Sequence, residues 1–297
     1  MKPDPLAKLS VRKVVKRFRG SAGTVTALWD VNLDVGHGEF VILVGASGCG
    51  KSTLLNIVAG LDKADEGEVL MDQRPVRGPG PERAMVFQDG GLFPWLTAVK
   101  NVEFGLRQIG LNKAERHERA MHALETVHLA KFANSCLHEL SGGMRQRVAI
   151  ARALAVEPRV LLMDEPFSAL DAQTREDLYV ELQRIWERTG ATILFVTHNV
   201  REAVTLGDRV VLLRRPQIQL GGPAAELQPS IQAQFDIDIM RPRHIDDMDV
   251  ARIAKQISLA LKHGHEHINF EEYDLDHEQL ETPRLLRGLG GPVDGGR

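Results

Sequence analysis

Two kinds of hydrophobic pattern occur in the first part of the chain. Residues 9–18 (LSVRKVVKRF) and 27–35 (ALWDVNLDV) alternate apolar and polar positions, which is typical of strands with one buried face. Residues 40–45 (FVILVG) are apolar without a break, as expected for a strand that is buried on both faces of a parallel sheet. Short apolar runs predict further strands at residues 84–87, 160–163, 192–197 and 209–213.

Helical patterns lie between these runs, notably at residues 113–129, 143–156 and 171–188. Strands that alternate with helices predict an α/β fold with a mostly parallel, wound sheet, and the antiparallel strands come at the start. From about residue 89 to 157 there is no convincing strand pattern, so we expect a helical insertion. Residues 214–230 are predicted to form an edge strand and a turn.

The C-terminal part has a weaker pattern. Val250, Ile253, Ile257 and Leu261 form one stripe, which predicts an amphipathic helix. We therefore divide the chain into a main domain, residues 1–225, and a C-terminal extension, residues 226–297. From residue 263 onward the extension is polar, and its end is predicted to be disordered.

Histidines alternate at the start of that polar tail, at His263, His265 and His267, close to several carboxylates. Histidines and acids together can bind Zn²⁺ or similar ions. Spacing alone does not set a tetrahedral geometry, so a solvated polar tract is the favoured interpretation and no metal site is predicted there.

Composition narrows the class of protein. Hydrophobic residues make up 43% and charged residues 26% of the chain, as in soluble globular proteins. A net charge of −3 argues against a general nucleic-acid binder. The two cysteines, Cys49 and Cys136, exclude a disulfide framework. No apolar run approaches the roughly 20 residues that cross a bilayer, and the first residues lack a secretory signal, so a cytosolic protein is expected.

The loop after residues 40–45 carries a phosphate-binding pattern. Gly45, Gly50, Lys51 and Ser52 fit G-x-x-x-x-G-K-[ST], between an apolar strand and a helical run. Glycines let backbone N–H groups approach phosphate oxygens, and the helix N-terminus adds positive potential. Lys51 supplies a charge to the phosphates, and the Ser52 hydroxyl can bind Mg²⁺. The candidate nucleotide-binding residues are Gly45, Ala46, Ser47, Gly48, Cys49, Gly50, Lys51, Ser52 and Thr53.

Cys49 lies inside this loop, beside Lys51 and the start of a helix. Both neighbours are expected to favour the thiolate form of its side chain. The preferred interpretation is nevertheless that a cysteine fills a position that needs a small side chain.

Two acidic residues end the apolar run at 160–163. Asp164 emerges at the carboxyl end of the strand, where it can approach Mg²⁺. Glu165 points differently, and it can accept a proton from an attacking water. An acidic pair at a strand end is usually only a contact with solvent, but beside a phosphate-binding loop the catalytic interpretation is favoured.

A second phosphate-facing turn is predicted at residues 140–147 (LSGGMRQR). Ser141 offers a hydroxyl, while Gly142 and Gly143 leave room for backbone N–H donors at a helix start. With this segment, roughly residues 8–225 resemble the ATP-binding cassette (ABC) ATPases, whose motifs occur here in the same order.

Further motifs carry this resemblance. Gln88 in MVFQD is similar to the family's Q-loop, residues 168–171 (SALD) to its D-loop, and His198 to its switch histidine. Phe18 resembles the aromatic residue that stacks on adenine, although that residue is usually tyrosine. The resemblance implies a P-loop NTPase of the ABC type, with a mixed sheet core, an antiparallel N-terminal part, a helical subdomain and a short C-terminal extension.

The resemblance also implies ATP hydrolysis with Mg²⁺. The implied catalytic residues are Glu165, His198 and Gln88, and the implied metal ligands are Ser52, Gln88 and Asp164. Two copies are expected to pack head to tail, so that Ser141, Gly142 and Gly143 of one copy close over the γ-phosphate that the other copy holds.

Residues 91–106 (GLFPWLTAVKNVEFGL) and 241–248 (RPRHIDDM) are similar to the nitrate, sulfonate and taurine importers of this family. The apolar cluster of Phe93, Trp95, Leu96 and Val99 is either core or a docking surface, and the resemblance favours docking. It implies a separate membrane permease that contacts about residues 89–106, an extracytoplasmic solute-binding protein that acts indirectly, and a location on the cytoplasmic face of the inner membrane. The implied solute is small and anionic.

The alternative is a soluble ABC ATPase of DNA repair or translation. Repair proteins of the family typically carry long coiled coils or zinc-binding cysteines inside the cassette, whereas the span from Gln88 to Ser141 is short and holds one cysteine. Translation proteins usually carry two cassettes in one chain. An exporter is a nearer alternative, which the importer-like residues 91–106 disfavour. No nucleic-acid partner is expected.

Overall fold

A computed structural model describes residues 7–21, 23–217 and 227–263. Within these ranges the strands are β1 (Ala7–Gly20), β2 (Gly23–Gly36), β3 (Phe40–Gly45), β4 (Glu66–Met71), β5 (Arg74–Pro75), β6 (Arg83–Val86), β7 (Val160–Asp164), β8 (Thr192–Thr197), β9 (Arg209–Leu213) and β10 (Ile231–Asp236). The α-helices are α1 (Lys51–Ala59), α2 (Ala98–Arg107), α3 (Lys113–Thr126), α4 (Gly142–Ala155), α5 (Ala172–Thr189), α6 (Val200–Leu206) and α7 (Met248–His263).

The N-terminal part is an antiparallel sheet in the order β2-β1-β4-β5. β1 and β2 pair antiparallel along most of their length, and β4 pairs with the other edge of β1. The alternating patterns at residues 9–18 and 27–35 therefore predicted these two strands correctly.

The second sheet has the order β10-β9-β3-β8-β7-β6. All its strands run parallel except β10, which pairs antiparallel with β9 at the edge. The predicted apolar strands and the α/β class are confirmed. The predicted edge strand and turn at 214–230 fall largely on residues outside the described ranges. The edge strand that the structure describes, Ile231–Asp236, was not predicted, because its alternating glutamines give it little of the apolar signal that marks the central strands.

One apolar core joins the two sheets. It contains side chains of β1 and β2, of the parallel strands, and of α1, whose Leu54, Leu55 and Val58 are fully buried. β3 is buried along its whole length. The loop from β3 to α1 therefore starts from a strand that packing holds on every side.

The chain between β6 and β7 is helical, as predicted. α2, α3 and α4 pack on one another, and each begins at a polar residue whose side chain accepts a backbone N–H, namely Thr97, Asn112 and Ser141. Asn112 forms a complete capping box with Glu115. The helical subdomain is therefore defined by local sequence signals as well as by its apolar contacts.

The amphipathic helix of the extension is α7, which packs on α6. Its buried face differs from the predicted stripe: Val250 and Ile257 are buried, but Ile253 and Leu261 are only half-buried. Ala254 and Ala260 complete the buried face instead, because small side chains let two helices approach closely. No helix in the described ranges is long and apolar enough to cross a bilayer.

The segment before α7 is fastened to the end of α6 by Arg243. Its buried guanidinium donates to the carbonyl oxygens of Val204 (2.8 Å) and Gly207 (2.6 Å), and burial lowers the pKa of Arg243 to about 10. The predicted domain boundary near residue 225 and the polar tail from residue 264 lie outside the described residues. The tail's His265 and His267 fall there, as does the side chain of His263.

Candidate functional site

The loop between β3 and α1 lies at the carboxyl end of the parallel sheet. A Cβ on Gly45 would lie 2.3 Å from the carbonyl oxygen of Leu213 in β9. Gly50 has a φ of 102°, and a Cβ on it would lie 2.6 Å from the side chain of Leu28 in β2. Both positions require glycine, because the loop passes too close to its neighbouring strands for a side chain.

Lys51 begins α1 and is 5% exposed. Its Nζ donates to the carbonyl oxygens of Gly45 (2.8 Å) and Ala46 (3.2 Å), so the ammonium group lies over the loop. Gly50, the N-cap of α1, has no side chain that could bond the first N–H groups of the helix. An ammonium group and uncapped N–H groups at one helix N-terminus suit a bound phosphate.

A cavity of about 420 Å³ opens beside this loop. Phe18, in β1, lines it with its ring 46% exposed, and Lys16 Nζ lies 5.2 Å from the ring centroid. The structure brings most of the predicted nucleotide-binding residues to this cavity. Those that line it are Phe18, Ser47, Gly48, Gly50, Lys51, Ser52 and Thr53, together with Glu165.

An oxygen-rich pair joins α1 to the end of β7. The Ser52 hydroxyl donates to Asp164 Oδ1 at 3.0 Å. Burial raises the pKa of Asp164, the Ser52 hydrogen bond opposes that change, and the neighbouring Glu165 adds to it. A hydroxyl and a carboxylate oxygen are the hard ligands that Mg²⁺ prefers, and a cation would relieve the cost of the partly buried carboxylate. The pair therefore fits a magnesium ion.

Glu165 and His198 meet at the carboxyl ends of β7 and β8. His198 Nδ1 lies 2.8 Å from Glu165 Oε2. Glu165 has a φ of 43°, in the left-handed region, and its N–H donates to the Val196 carbonyl oxygen at 3.0 Å. This turn sends Asp164 toward Ser52 and Glu165 toward His198, so two adjacent carboxylates have different surroundings, as their order predicted.

The second phosphate-facing turn lies elsewhere in the chain. Ser141 is the exposed N-cap of α4, and its Oγ accepts the Met144 N–H at 3.2 Å. Gly143 is buried, and a Cβ on it would lie 2.4 Å from Thr174 Cγ2. Gly142 lines a different cavity, of about 600 Å³, together with Gln88. Within one chain, these residues do not share the cavity of the 45–53 loop.

The expectation that Cys49 favours its thiolate was wrong. Its side chain is fully buried, and burial raises the pKa of the thiol, although the nearby Lys51 acts in the opposite direction. Removing the thiol from solvent disfavours the charged form by more than the helix start and the lysine favour it. Cys49 therefore behaves as a small apolar side chain behind the loop.

Four residues that line the cavity were missed: Val25, Thr26 and Ala27 of β2, and Arg215. Arg215 follows β9, lines the cavity, and donates from Nε to the Gly48 carbonyl oxygen at 3.0 Å. A signal was present in the sequence, because ligands of a wound sheet bind outside the carboxyl ends of its strands and Arg215 comes just after one of them. Its guanidinium adds positive charge beside the loop.

Comparison with known proteins agrees with this geometry. The sequence profile of the ABC transporter family matches residues 28–168. An uncharacterised ABC transporter ATP-binding protein of Methanocaldococcus jannaschii is 47% identical over 256 residues, which are 86% of this chain and 91% of that protein. The nitrate import ATP-binding protein of Synechocystis is 51% identical over 209 residues, covering 70% of this chain and 79% of that protein. The taurine import ATP-binding protein of Burkholderia pseudomallei is 48% identical over 208 residues, covering 70% and 80%.

Solved structures show the same fold. A dimeric ATP-binding cassette in a post-hydrolysis state, bound to ADP and Pi, has a TM-score of 0.62 and 38% identity, over 69% of this chain and 94% of that one. A second dimeric structure, of a bacterial ABC transporter cassette, has a TM-score of 0.65 and 34% identity, over 78% of this chain and all of that one. The chain belongs to the ABC transporter ATP-binding family, whose members bind ATP and hydrolyse it to power transport.

Proposed function

We propose that this chain is the ATPase subunit of an ABC importer, and that it drives a separate membrane permease that takes up a small anionic solute. The observation that carries the proposal is the cavity at the sheet edge, which Lys51, Ser52 and Glu165 line, with Asp164 bonded to Ser52 and His198 to Glu165. The nitrate and taurine import ATP-binding proteins among the relatives support the direction of transport and the class of solute.

ATP binds in this cavity with its phosphates on the 45–53 loop. The backbone N–H groups of the loop and the first turn of α1 bond the phosphate oxygens, and Lys51 balances their charge. Phe18 stacks on the adenine ring, which its exposure and its place in the same cavity permit. The proposed binding residues are Phe18, Gly45, Ala46, Ser47, Gly48, Cys49, Gly50, Lys51, Ser52 and Thr53.

Ser52 and Asp164 hold the Mg²⁺ of the nucleotide, with Gln88 as a further ligand. When bound, the ion neutralises negative charge on the phosphate oxygens. The Ser52 hydroxyl and the Asp164 carboxylate lie within hydrogen-bond distance of each other. Gln88 is exposed just after β6 and lines the other cavity, so its contribution requires the 87–91 turn to move toward the nucleotide.

Hydrolysis uses Glu165 as the base. The carboxylate accepts a proton from a water whose oxygen forms a bond to the γ-phosphorus, while the bond from that phosphorus to the β–γ bridging oxygen breaks and ADP departs. His198, at 2.8 Å from Glu165, orients this carboxylate. Lys51 offsets the negative charge of the phosphates during the displacement.

A second copy of the chain completes the site. Ser141, Gly142 and Gly143 present a hydroxyl and a helix N-terminus. These residues do not line the cavity of the 45–53 loop in their own chain, so they do not meet a phosphate that is bound there. In a head-to-tail pair, each such turn closes over the γ-phosphate held by the other copy, which gives two equivalent sites. The dimeric cassettes among the solved structures support this arrangement.

The permease contacts residues 89–106, on the cytoplasmic face of the membrane, and meets the extracytoplasmic solute-binding protein on its other side. Trp95 is 76% exposed and stacks on Phe93, whose ring also contacts Phe104. Val99 is buried in the subdomain, so the apolar cluster is partly core and partly surface. An exposed tryptophan supported by rigid aromatic neighbours is a suitable anchor for a partner helix.

Affinity capture from gently solubilised membranes tests this proposal. The tagged protein is expected to recover a multi-spanning permease, and Trp95→Ala is expected to lower that recovery at least tenfold, as for a central aromatic anchor (about 2 kcal/mol). Phe132→Ala, at a 43% exposed aromatic outside residues 89–106, is the matched control. Recovery of only soluble partners or nucleic acid by the parent protein contradicts the importer assignment, and uptake assays with the recovered permease then identify the solute.

A further inference from the structure

A buried carboxylate lies behind the catalytic pair and has no role in the hydrolysis described above. Glu202, in α6, is 6% exposed. The Thr197 hydroxyl donates to Glu202 Oε2, and the same hydroxyl oxygen accepts the Asn199 N–H at 2.9 Å. Thr197 ends β8 and directly precedes His198, so these two hydrogen bonds fix the backbone on both sides of the histidine.

The other side of Glu202 faces α5. Burial raises the pKa of Glu202, while the Thr197 hydrogen bond and the positive charge of Arg175 oppose that change. Tyr179 of α5 is itself fully buried. Arg175, on the same helix, donates from Nη2 to the Leu170 carbonyl oxygen at 2.7 Å, within the 168–171 turn. A buried carboxylate is retained only where such partners stabilise it.

The 168–171 turn returns to the catalytic residue. The Ser168 N–H and hydroxyl both donate to the Glu165 carbonyl oxygen, at 3.2 Å and 2.9 Å. Hydrogen bonds therefore link Glu202 through Thr197 to the backbone beside His198, and His198 lies 2.8 Å from Glu165. Arg175, which bonds the 168–171 turn, acts on Glu202 through its charge. The left-handed φ of Glu165 is a strained conformation, which persists only where the surroundings fix it.

We propose that Glu202 is a positioning residue for ATP hydrolysis: through Thr197 it holds His198 against Glu165. This inference rests on the proposed role of Glu165 as the base. Glu202 is buried and does not line the cavity of the 45–53 loop, so its removal displaces the base without changing the phosphate loop.

Steady-state kinetics and direct ATP titration of Glu202→Ala test the proposal. We expect kcat to fall about tenfold or more, because small displacements of reacting groups are costly, while the Kd for ATP stays within about twofold. Glu202→Gln keeps an oxygen that accepts the Thr197 hydroxyl, so it is expected to recover most of that loss. Glu187→Ala, at an exposed carboxylate of α5, is the matched control.

Thr197→Val is the second variant, since it has the same shape as threonine and removes only the hydroxyl. It should reproduce the loss in kcat at unchanged ATP affinity, and it decides the matter if Glu202→Ala fails to fold. The proposal is overturned if both variants keep kcat within about twofold of the parent, if Glu202→Gln is as slow as Glu202→Ala, or if kcat and ATP affinity fall together. Glu165→Gln is measured alongside. Normal turnover in that variant contradicts the proposed function. If Glu165→Gln is inactive but Glu202→Ala is active, only the inference about Glu202 is contradicted.

Discussion

Two helix N-termini of this chain are proposed to bind phosphate, and they are built in different ways. The 45–50 loop enters α1 through Gly50, which supplies no side-chain cap, and Lys51 lies over the loop nearly buried. The 140–143 turn enters α4 through Ser141, whose exposed side chain caps its own helix by accepting the Met144 N–H. The first therefore offers free backbone donors and a fixed positive charge, and the second offers one hydroxyl at the surface.

The difference shows which part of the site one copy can form alone. Strands β2, β3 and β9 enclose the 45–50 loop. From the end of β7, Glu165 lines the cavity of this loop and Asp164 accepts a hydrogen bond from Ser52 of α1. The second turn belongs to the helical subdomain and lines another cavity. The 45–50 loop can bind a phosphate within its own copy of the chain. The 140–143 turn contacts a phosphate only when a second copy supplies it.

The largest effect is expected on turnover, when the base Glu165 beside the 45–50 loop is replaced. Glu165→Gln should lower turnover by about 10²–10⁴, the range for loss of a general base, while ATP binding remains intact. Phosphate-release kinetics measures the rate, and a fluorescent-nucleotide titration measures the affinity. Near-normal turnover in this variant is incompatible with the proposed role of Glu165.

Removal of the Lys51 charge should weaken ATP binding rather than slow turnover. Lys51→Ala is expected to raise the Kd for ATP roughly 10- to 100-fold, since hydrogen bonds to charged groups contribute about 1.5–3 kcal/mol each. Isothermal titration gives the affinity directly. Arg184→Ala, which removes an exposed cation of α5, is the control, and equal losses in the two variants would mean that net charge matters rather than the position of Lys51.

The smallest effect is expected at the second turn, and it should appear only in the dimer. In a Glu165→Gln background, Ser141→Ala should raise the concentration for ATP-dependent dimerisation about tenfold, because each of the two sites loses one hydrogen bond (about 0.7 kcal/mol each). The affinity of the monomer for ATP should not change. Light scattering after size-exclusion chromatography reports the assembly.

The control for this variant is chosen to separate capping from phosphate contact. Asn112→Ala removes the N-cap of α3 in the same subdomain, which costs about 1 kcal/mol of stability as the loss of the Ser141 cap does. If both variants weaken dimerisation equally, the effect comes from helix stability. The proposal that the 140–143 turn contacts phosphate held by the other copy is then contradicted.

Much of the fold followed from local patterns. The strands β3, β7, β8 and β9 were predicted within about one residue, because strands buried on both faces must be apolar at every position. β10 was not predicted, since an edge strand of alternating glutamines carries little apolar signal. The buried face of α7 differed from the predicted stripe because the pattern counts large side chains, whereas Ala254 and Ala260 are part of the buried face.

The candidate site was predictable to a different extent in each part. The spacing of Gly45, Gly50 and Lys51 located the loop. The pKa direction of Cys49 was missed, because the sequence shows its charged neighbours and not its depth. Arg215 was also missed, since its partner Gly48 is distant along the chain. Glu202 was missed although its partner Thr197 is only five residues away, because the sequence does not show that this carboxylate is buried.

The sequence by itself determined the apolar strands, the phosphate-binding loop, the acidic pair and the 140–143 turn, because each depends on residues that are neighbours in the chain. Only the tertiary structure decided that His198 lies 2.8 Å from Glu165, that Ser52 bonds Asp164, and that the 140–143 turn lines a different cavity from the loop. These are contacts between strand ends, and the packing of the parallel sheet sets them, not the spacing of residues.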